Sequence, residues 1–397
     1  LGHPPEDEFA WTQRLLSALV TWEHGAGLEH TLAPPMAAYA SLREAFERYM
    51  TLRDTGFVSL PKSLRKARPG KAHPDIPLLR ARLAQEDPEG AGEGDVWDDA
   101  LSAALRRARR AYQLRPKRKA RYLLDKKLMS ALRVPVGERL QTIRINLQRW
   151  HRSKLRHFTY ALYVNLPDYH GEVWADAERL HRFKVVIGNT RKKRGFMVNA
   201  TPRLSSAVRT IVYNPFWTVP NRIYEEELLV KAEAYVAEQG GGGDSSRTES
   251  ELLDDYWSSK GYEVFGKKRK SGRVWVRRRP GPGNALGKVK FLFHNLWFVF
   301  LHDTPQKRKF KATRRAFSHG CMRVHRPLEL AELMLRRDGQ WAEVEAAKVM
   351  SHYRQTVFTM KEPVWLIVDY ITARVDQAGR AHFFHDIYRH DRDLTAL

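Results

Sequence analysis

The sequence predicts an α+β protein, with a mostly helical first part and a β-rich second part that carries a helical and loop insert. Apolar residues recur at helical spacing up to about residue 155. From about residue 157, short runs rich in Val, Ile, Phe and Tyr replace that pattern. A segment of different character, about 221–280, interrupts the second part.

Helices are predicted in three segments of the first part. Segment 34–52 has apolar residues three or four positions apart, and segments 96–114 and 124–134 repeat the pattern. Connectors rich in charge and proline separate these segments. We therefore interpret residues 1–155 as a helical scaffold.

Strands are predicted throughout the second part, which we assign to residues 156–397. The runs that indicate strands are FTYALYVNLP, RFKVVIG, AVRTIVYNPFW, KVKFLF, WFVFL, VWLIVDY and HFFHDIY. KVKFLF and LWFVFL are joined at His294-Asn295, which predicts a hairpin with a short turn.

The insert 221–280 begins with a helix-like stretch, Tyr224–Val236, and continues with four glycines, Gly240–Gly243. A glycine run is costly to order, so we expect a mobile loop there. A lid over a nearby site and a plain surface insertion both fit this composition.

The net charge of +24, from 69 Lys and Arg against 45 Asp and Glu, raises the question of nucleic-acid binding. The basic clusters are spread along the chain, and the sequence lacks zinc-finger, basic-zipper and RNA-binding aromatic signatures. No nucleic-acid partner is therefore expected, although a surface for another anionic polymer remains open. No apolar run is long enough to cross a bilayer. The start at Leu1-Gly2-His3 is interpreted as a processed or trimmed end whose export signal is not visible.

Cys321 is the one cysteine of the chain, so it cannot form an internal disulfide. A lone cysteine is most often a small buried apolar residue. A nucleophilic thiol needs a base, and two histidines qualify. His319 is only two residues away, which is awkward for a hydrogen bond, whereas His302 ends the apolar run Trp297–Leu301 nineteen residues upstream. Both histidines remain candidates at this point, and His302 would suit a rigid catalytic pair if its strand lies beside that of the cysteine.

The SHGC turn suggests two further possibilities. Gly320 allows close approach of a substrate, and the backbone N–H groups of Gly320 and Cys321 are candidates to face a developing oxyanion. The alternative is a metal site made by His319, Cys321 and His325, with or without His302. That spacing is not a common zinc signature, so no metal is expected.

Several segments together resemble the L,D-transpeptidase (YkuD) family, in its large, multidomain YcbB-like branch. They are RINLQRW (144–150), NPFWTVP (214–220), RPGPGNALGKVKFLF (279–293), HDTP (302–305), RAFSHGCMRVHRPLELAELML (315–335) and FFHDIY (383–388). The resemblance covers roughly residues 70–390 and is densest in 279–335.

This resemblance implies a periplasmic enzyme that acts on peptidoglycan tetrapeptide stems as donor and acceptor, without a cofactor. The thiol would attack the carbonyl that joins meso-diaminopimelate to the terminal D-alanine. D-alanine would leave, and the amine of a second diaminopimelate would resolve the thioester into a 3→3 crosslink. Carbapenem-type β-lactams would act as covalent inhibitors.

The resemblance also implies roles for individual residues. Its catalytic set is Cys321, His302 as the base, Asp303 whose carbonyl orients that ring, and the turn residues Ser318, His319 and Gly320. Arg323 belongs to the same supporting turn and, with Phe300 near the base, is a candidate for substrate contact. Trp217 and Asn284, in the NPFWTVP and GPGNALG segments, are further candidates for substrate contacts, although Trp217 would equally suit a core position. Phe300 replaces a tyrosine that is common in the branch, so a hydroxyl is lost near the base.

Residues 70–135 resemble a degenerate peptidoglycan-binding module. Tyr112-Gln113 keeps part of its signature, but the Asp-Gly turn is absent. Wall binding and pure scaffolding both remain open for this module.

The same thiol would serve other acceptors. Water would give a carboxypeptidase or endopeptidase, and a lysine amine would attach a protein to the wall. A more distant alternative is a non-enzymatic protein that binds an anionic polymer or nucleic acid. Protein partners and oligomeric state are not indicated by the sequence.

Overall fold

The computed structural model describes residues 37–176, 178–240, 248–265, 275–342, 348–349 and 351–395. The protein has the predicted α+β fold, with helices early in the chain and a large β-sheet later. It divides into two compact units, one formed by residues up to Arg156 together with those from Ile371 onward, the other by His157–Tyr370. Most of the predicted glycine loop, residues 241–243, lies outside the described residues.

The helices confirm the three helical segments predicted for the first part. In chain order they are α1 (Ala37–Thr55), α2 (Ile76–Ala84), α3 (Asp99–Ala111), α4 (Lys126–Leu132), α5 (Val136–Arg152), α6 (Asn221–Ile223), a π-helical turn (Tyr224–Leu228), α7 (Leu229–Gly240), α8 (Glu249–Ser259), α9 (Pro327–Arg337) and α10 (His390–Thr395). Short 3₁₀ helices span Lys62–Lys66, Ala120–Tyr122, Lys154–His157 and Lys307–Lys311. No helix among the described residues has the length and apolar character needed to span a bilayer.

The strands lie in the second part of the chain, as predicted. They are β1 (Tyr160–Asn165), β2 (His170–Ala175), β3 (Glu178–Gly188), β4 (Lys192–Lys193), β5 (Phe196–Met197), β6 (Leu204–Tyr213), β7 (Trp217–Thr218), β8 (Tyr262–Phe265), β9 (Trp275–Arg278), β10 (Val289–Phe293), β11 (Leu301–His302), β12 (Ala316–Ser318), β13 (Met322–Val324), β14 (Thr356–Asp369), β15 (Ala373–Val375) and β16 (Ala381–Phe383).

The helical unit is built around a buried carboxylate. Glu86 accepts hydrogen bonds from the hydroxyls of Tyr49, at 2.6 Å, and Tyr112, and it pairs with Arg82 at 2.7 Å. All four residues are buried. A buried charge is tolerable only when it is paired and hydrogen-bonded, so this cluster fixes how α1, α2 and α3 pack.

The last segment of the chain belongs to this helical unit, whereas the sequence interpretation placed all of 156–397 in the second domain. The hairpin β15–β16 packs on α1, α3 and α5. Arg380 is 2.6 Å from the buried Asp87, and the ring of Phe383 lies 5.9 Å from that of Tyr49. Ion pairing and aromatic burial therefore draw residues 371–395 to the helices.

The second unit is organised by a nine-stranded sheet in the order β12-β3-β13-β11-β10-β6-β14-β1-β2. β2 pairs with β3 as well as with β1, so the sheet closes on itself. Closure pairs the edges and gives the sheet an enclosed apolar interior. Val185, Ile211, Phe291 and Leu366 have no exposed surface.

The described part of the insert 221–280 forms its own small core. Val219, Ala232, Trp257 and Val276 are buried together, where α7 and α8 meet the three-stranded sheet β7-β9-β8. A capping box between Thr248 and Glu251 begins α8. The helix-like start predicted at Tyr224–Val236 is confirmed.

Candidate active site

The strand that ends in His302 lies directly beside the strand that follows Cys321. β11 and β13 pair in parallel, with His302 opposite Arg323, and the Met322 N–H donates to the Phe300 carbonyl at 3.0 Å. Leu301 and Met322 are fully buried on one face. Since successive residues point to opposite faces, His302 shares the other face with Cys321 and Arg323.

The ring of His302 is held in one orientation. Its Nδ1 donates a hydrogen bond to the carbonyl oxygen of Asp303, which leaves the lone pair of Nε2 available as a base. Burial, assisted by the charge of Arg323, lowers the pKa of His302 to about 3. The Phe300 ring stands edge-on to the imidazole, with 5.7 Å between centroids.

The thiol of Cys321 rests in its protonated form. Burial raises its pKa to about 11, although hydrogen bonding from the Phe300 backbone and the charge of Arg323 act in the opposite direction. The pKa values of Cys321 and His302 are about eight units apart, so a thiolate–imidazolium pair is not populated at rest.

The turn that presents the thiol is held by side chains. Ser318 Oγ donates to the Cys321 carbonyl at 2.6 Å and accepts from the Gly320 N–H at 3.2 Å. Thr201 Oγ1 donates to the Gly320 carbonyl at 2.7 Å. Because its N–H is already used, Gly320 is not free to stabilise an oxyanion in this arrangement, contrary to the sequence-based expectation. Gly320 has a φ of +125°, which only glycine adopts without strain.

Besides the backbone carbonyl that orients His302, Asp303 has a side chain that contacts two lysines. Its carboxylate accepts from the Lys288 N–H at 2.9 Å and pairs with Lys307. A Cβ on Gly287 would overlap this carboxylate. The GNALGK loop is thereby attached to the residue that orients His302, a contact that the glycine of that motif could have indicated.

Arg323 and His319, which lie on either side of Cys321 in the motif, contact different parts of the protein. Arg323 donates to Gln306 Oε1 at 2.8 Å, next to the 3₁₀ helix Lys307–Lys311. His319 Nε2 lies 2.7 Å from Glu227 Oε1, in the π-helical turn of the insert. His319 therefore faces the insert, and His302 is the histidine that lies on the strand beside the thiol.

The L,D-transpeptidase catalytic domain (YkuD) family model matches residues 159–357, which is half of the chain. The chain belongs to the L,D-transpeptidase (YkuD) family.

Comparison with individual members gives more distant similarity. A Haemophilus influenzae protein described as a candidate L,D-transpeptidase is 27% identical over 266 residues, covering 64% of this chain and 49% of the relative. The chain thus spans about half the length of that curated relative.

One similar solved structure is the L,D-transpeptidase of Xylanimonas cellulosilytica, which is 12% identical. The match covers 76% of this chain and 96% of that chain, with a TM-score of 0.26. Another is a mutant L,D-transpeptidase of Enterococcus faecium, which is 10% identical. That match covers 53% of this chain and 50% of that chain, with a TM-score of 0.26. The family assignment rests on the sequence match and not on these scores.

Two candidates for substrate contact, Asn284 and Trp217, make contacts within the protein itself. Asn284 is buried, its amide donates to the carbonyls of Pro215 and Arg279, and its oxygen accepts from the Leu286 N–H. Its hydrogen-bonding capacity is thus committed to the loop. Trp217 packs against the core of the insert, 6.3 Å from the ring of Tyr262.

The histidines and acids of the described segments form no group of three or more that could hold a metal ion. His325, one of the candidate ligands, instead stands edge-on to Phe310 at 5.1 Å. The sequence pattern His-x-Cys-x₃-His therefore does not gather a ligand set.

The rim beside the thiol turn carries an exposed apolar loop that the sequence interpretation missed. Trp297–Leu301 was expected to be a strand, but β11 begins only at Leu301. Asn295 hydrogen-bonds to the backbone of Phe293, Trp297 and Val299, and Phe298 has a φ of +54°. Leu296, Trp297 and Phe298 are consequently 78%, 54% and 88% exposed.

Proposed function

We propose that this protein is a cysteine L,D-transpeptidase that forms 3→3 crosslinks between meso-diaminopimelate residues of peptidoglycan. The observation that supports the proposal is the pairing of β11 with β13, in which His302 lies opposite Arg323, two residues after Cys321, and its ring hydrogen-bonds to the Asp303 carbonyl. Family membership supports the reaction class.

In the proposed first step, the Cys321 sulfur attacks the carbonyl carbon between diaminopimelate and the terminal D-alanine. The thiol proton passes to Nε2 of His302 as the C–S bond forms. Collapse of the tetrahedral intermediate breaks the C–N bond, and the imidazolium returns the proton to the leaving amine of D-alanine. A thioester remains on Cys321.

In the proposed second step, the side-chain amine of a second diaminopimelate attacks the thioester. His302 takes a proton from that amine and transfers it to the departing sulfur. The new amide is the crosslink, and the thiol is restored. The Asp303 carbonyl favours each protonation of Nε2 because it accepts from Nδ1 throughout.

Two residues support the charge that develops in this reaction. The Cys321 N–H remains the motif's candidate oxyanion donor, since the Gly320 N–H is engaged by Ser318. Arg323 is placed to attract a stem-peptide carboxylate, and its charge lowers the thiol pKa against the effect of burial. Phe300 supplies an apolar wall to the base instead of a hydroxyl.

The remaining parts of the chain have proposed roles that follow from this reaction. Residues 221–280 cap the substrate groove, and residues 70–135 act as a scaffold or as a degenerate wall-binding module. The reaction takes place in the periplasm, where peptidoglycan stems are found. Carbapenem-type β-lactams acylate the same thiol.

The experiment is incubation with purified tetrapeptide muropeptides, followed by mass spectrometry of the products. The expected products are free D-alanine and a 3→3 linked dimer, with neither formed by Cys321→Ala. Shortened monomers without any dimer would instead indicate a carboxypeptidase. No reaction with any stem peptide would contradict the proposal.

A further inference from the structure

The first turns of the insert form an acidic segment in a strongly basic protein. The π-helical turn Tyr224–Leu228 contains Glu225, Glu226 and Glu227, while the whole chain has a net charge of +24. π-helical turns are rare and frequently lie at functional sites. This acidic segment therefore invites the question of what it contacts.

Basic groups of the catalytic unit hold the acidic segment on one side. Glu226 Oε2 is 2.7 Å from the Arg191 guanidinium, and Lys193 is 3.5 Å from the same carboxylate. Arg222, also at the start of the insert, donates to the carbonyl of Val198 at 3.1 Å and to the side chain of Asn199. The start of the insert is thus fastened to the segment that contains β4 and β5.

A separate contact reaches the turn of the nucleophile itself. Glu227 Oε1 and His319 Nε2 are 2.7 Å apart, and His319 is two residues before Cys321. The backbone of this turn is already held by Ser318 and Thr201. Glu227 is the partner that joins the turn to the insert.

We infer that Glu227 is a positioning residue: by holding His319, it couples the seating of the insert to the position of the Cys321 turn. The catalytic consequence of this coupling rests on the proposed function, whereas its effect on the thiol does not. Both side chains are partly exposed, and such pairs are weak. The contact therefore contributes little to stability by itself, and its effect is expected in the position of the turn.

The electrostatic surroundings of His319 agree with this arrangement. Burial lowers the pKa of His319, the carboxylate of Glu227 raises it, and Arg222 and Arg323 lower it. Of the groups that affect the pKa of His319, Glu227 thus favours the protonated ring. Removal of its carboxylate abolishes the contact with His319 and leaves the effects of burial, Arg222 and Arg323, which all lower the pKa of His319.

The inference can be tested directly because Cys321 is the one cysteine of the chain. Iodoacetamide alkylation reports access to the thiol whether or not the protein is an enzyme, and acylation by imipenem reports a productive turn. Both rates are measured for the wild type, Glu227→Ala and Glu227→Gln. Glu233→Ala is the matched control, since it removes an exposed carboxylate of α7 in the same insert.

Glu227→Ala should react several-fold faster with iodoacetamide and about tenfold more slowly with imipenem, because the turn is freer but less well aligned. Glu227→Gln should stay close to the wild type, since its amide oxygen still accepts the His319 hydrogen bond. Glu233→Ala should match the wild type in both assays. A variant that is merely destabilised would show a lower melting temperature, without a loss of rate confined to imipenem.

The inference is overturned if Glu227→Ala matches Glu233→Ala in both rates, or if Glu227→Gln is as impaired as Glu227→Ala. Failure of the proposed function has a different signature. In that case imipenem fails to acylate even the wild type, while the alkylation rates still decide whether Glu227 holds the turn.

Discussion

His302 and Arg323 are partners in the register of a parallel strand pair, and the charge of Arg323 acts on both His302 and Cys321. The guanidinium disfavours a charged imidazole, while it favours a thiolate at Cys321. Arg323 therefore makes His302 a weaker base and Cys321 a better acid, in an environment where burial dominates both groups.

The thiol should titrate far above the usual range of cysteine. Because burial raises the pKa of Cys321 to about 11, the rate of iodoacetamide alkylation should still be rising between pH 9 and 10. Arg323→Ala should shift the profile to higher pH, since it removes a charge that stabilises the thiolate. Arg314→Ala, which removes an exposed arginine of the same charge, is the control and should leave the profile unchanged. A plateau near pH 8.5 in the wild type would contradict this prediction.

His302 should remain neutral well below the ordinary pKa of histidine. Its folded pKa of about 3 predicts that imipenem acylation shows no acid limb from this group between pH 7 and 5. His302→Ala should lower the acylation rate about 10²–10⁴-fold, as expected for loss of a general base. The measurement is the second-order rate constant at several pH values. A titration near pH 6.5 that disappears in His302→Ala would show that the imidazole is not buried as described.

Gly287→Ala should damage the site through Asp303. A methyl group at Gly287 would overlap the Asp303 carboxylate, whose backbone carbonyl orients His302. Gly195→Ala is the matched control, because both glycines have positive φ but Gly195 has open space around its Cβ position. Each variant should lose about 1–2 kcal/mol of stability from left-handed strain. Slower acylation should be confined to Gly287→Ala, and equal rates in the two variants would contradict the coupling through Asp303.

Glu86 should be essential for the stability of the helical unit. Glu86→Ala leaves the buried Arg82 without its partner, which costs about 3–5 kcal/mol for a buried pair. Thermal or urea unfolding measures this loss, and the exposed Glu93→Ala should be neutral. A Glu86→Ala protein with wild-type stability would show that the network contributes nothing.

The same carboxylate gives stability a defined pH dependence. Burial raises the pKa of Glu86, but Arg82, Arg139 and the hydrogen bonds from Tyr112 and Tyr49 together outweigh that effect and hold the pKa below its ordinary value of 4.5. The unfolded chain thus binds this proton at higher pH than the folded protein. The contribution of Glu86 is complete above about pH 4.5 and is lost as the pH falls through the folded pKa. Glu86→Gln should therefore show a shallower loss of stability in acid than the wild type.

The fold class and the helical and strand segments could be predicted from the sequence because their signals are local. Apolar spacing in 34–52 and β-branched runs such as RFKVVIG determine helix and strand without reference to distant residues. The closure of the sheet through β2 and β3, and the attachment of residues 371–395 to the helices, depend on long-range pairs such as Arg380 with Asp87. Such pairs leave no mark in a single sequence.

The candidate site divides in the same way. The pairing of the His302 strand with the strand after Cys321 was predicted as one of two arrangements, and in the structure β11 pairs with β13. The engagement of the Gly320 N–H by Ser318 was not, because it depends on the rotamer of one side chain. The contact between Glu227 and His319 joins residues far apart in the chain, so no motif could indicate it.

The most direct test of the central claim is intact-protein mass spectrometry after incubation with imipenem. The expected result is a stoichiometric mass gain of one drug molecule on the wild type, mapped by peptide analysis to Cys321, and no gain on Cys321→Ala. An adduct on Cys321→Ala, or an unmodified wild type under conditions in which the folded protein is retained, would contradict the assignment of Cys321 as the catalytic nucleophile.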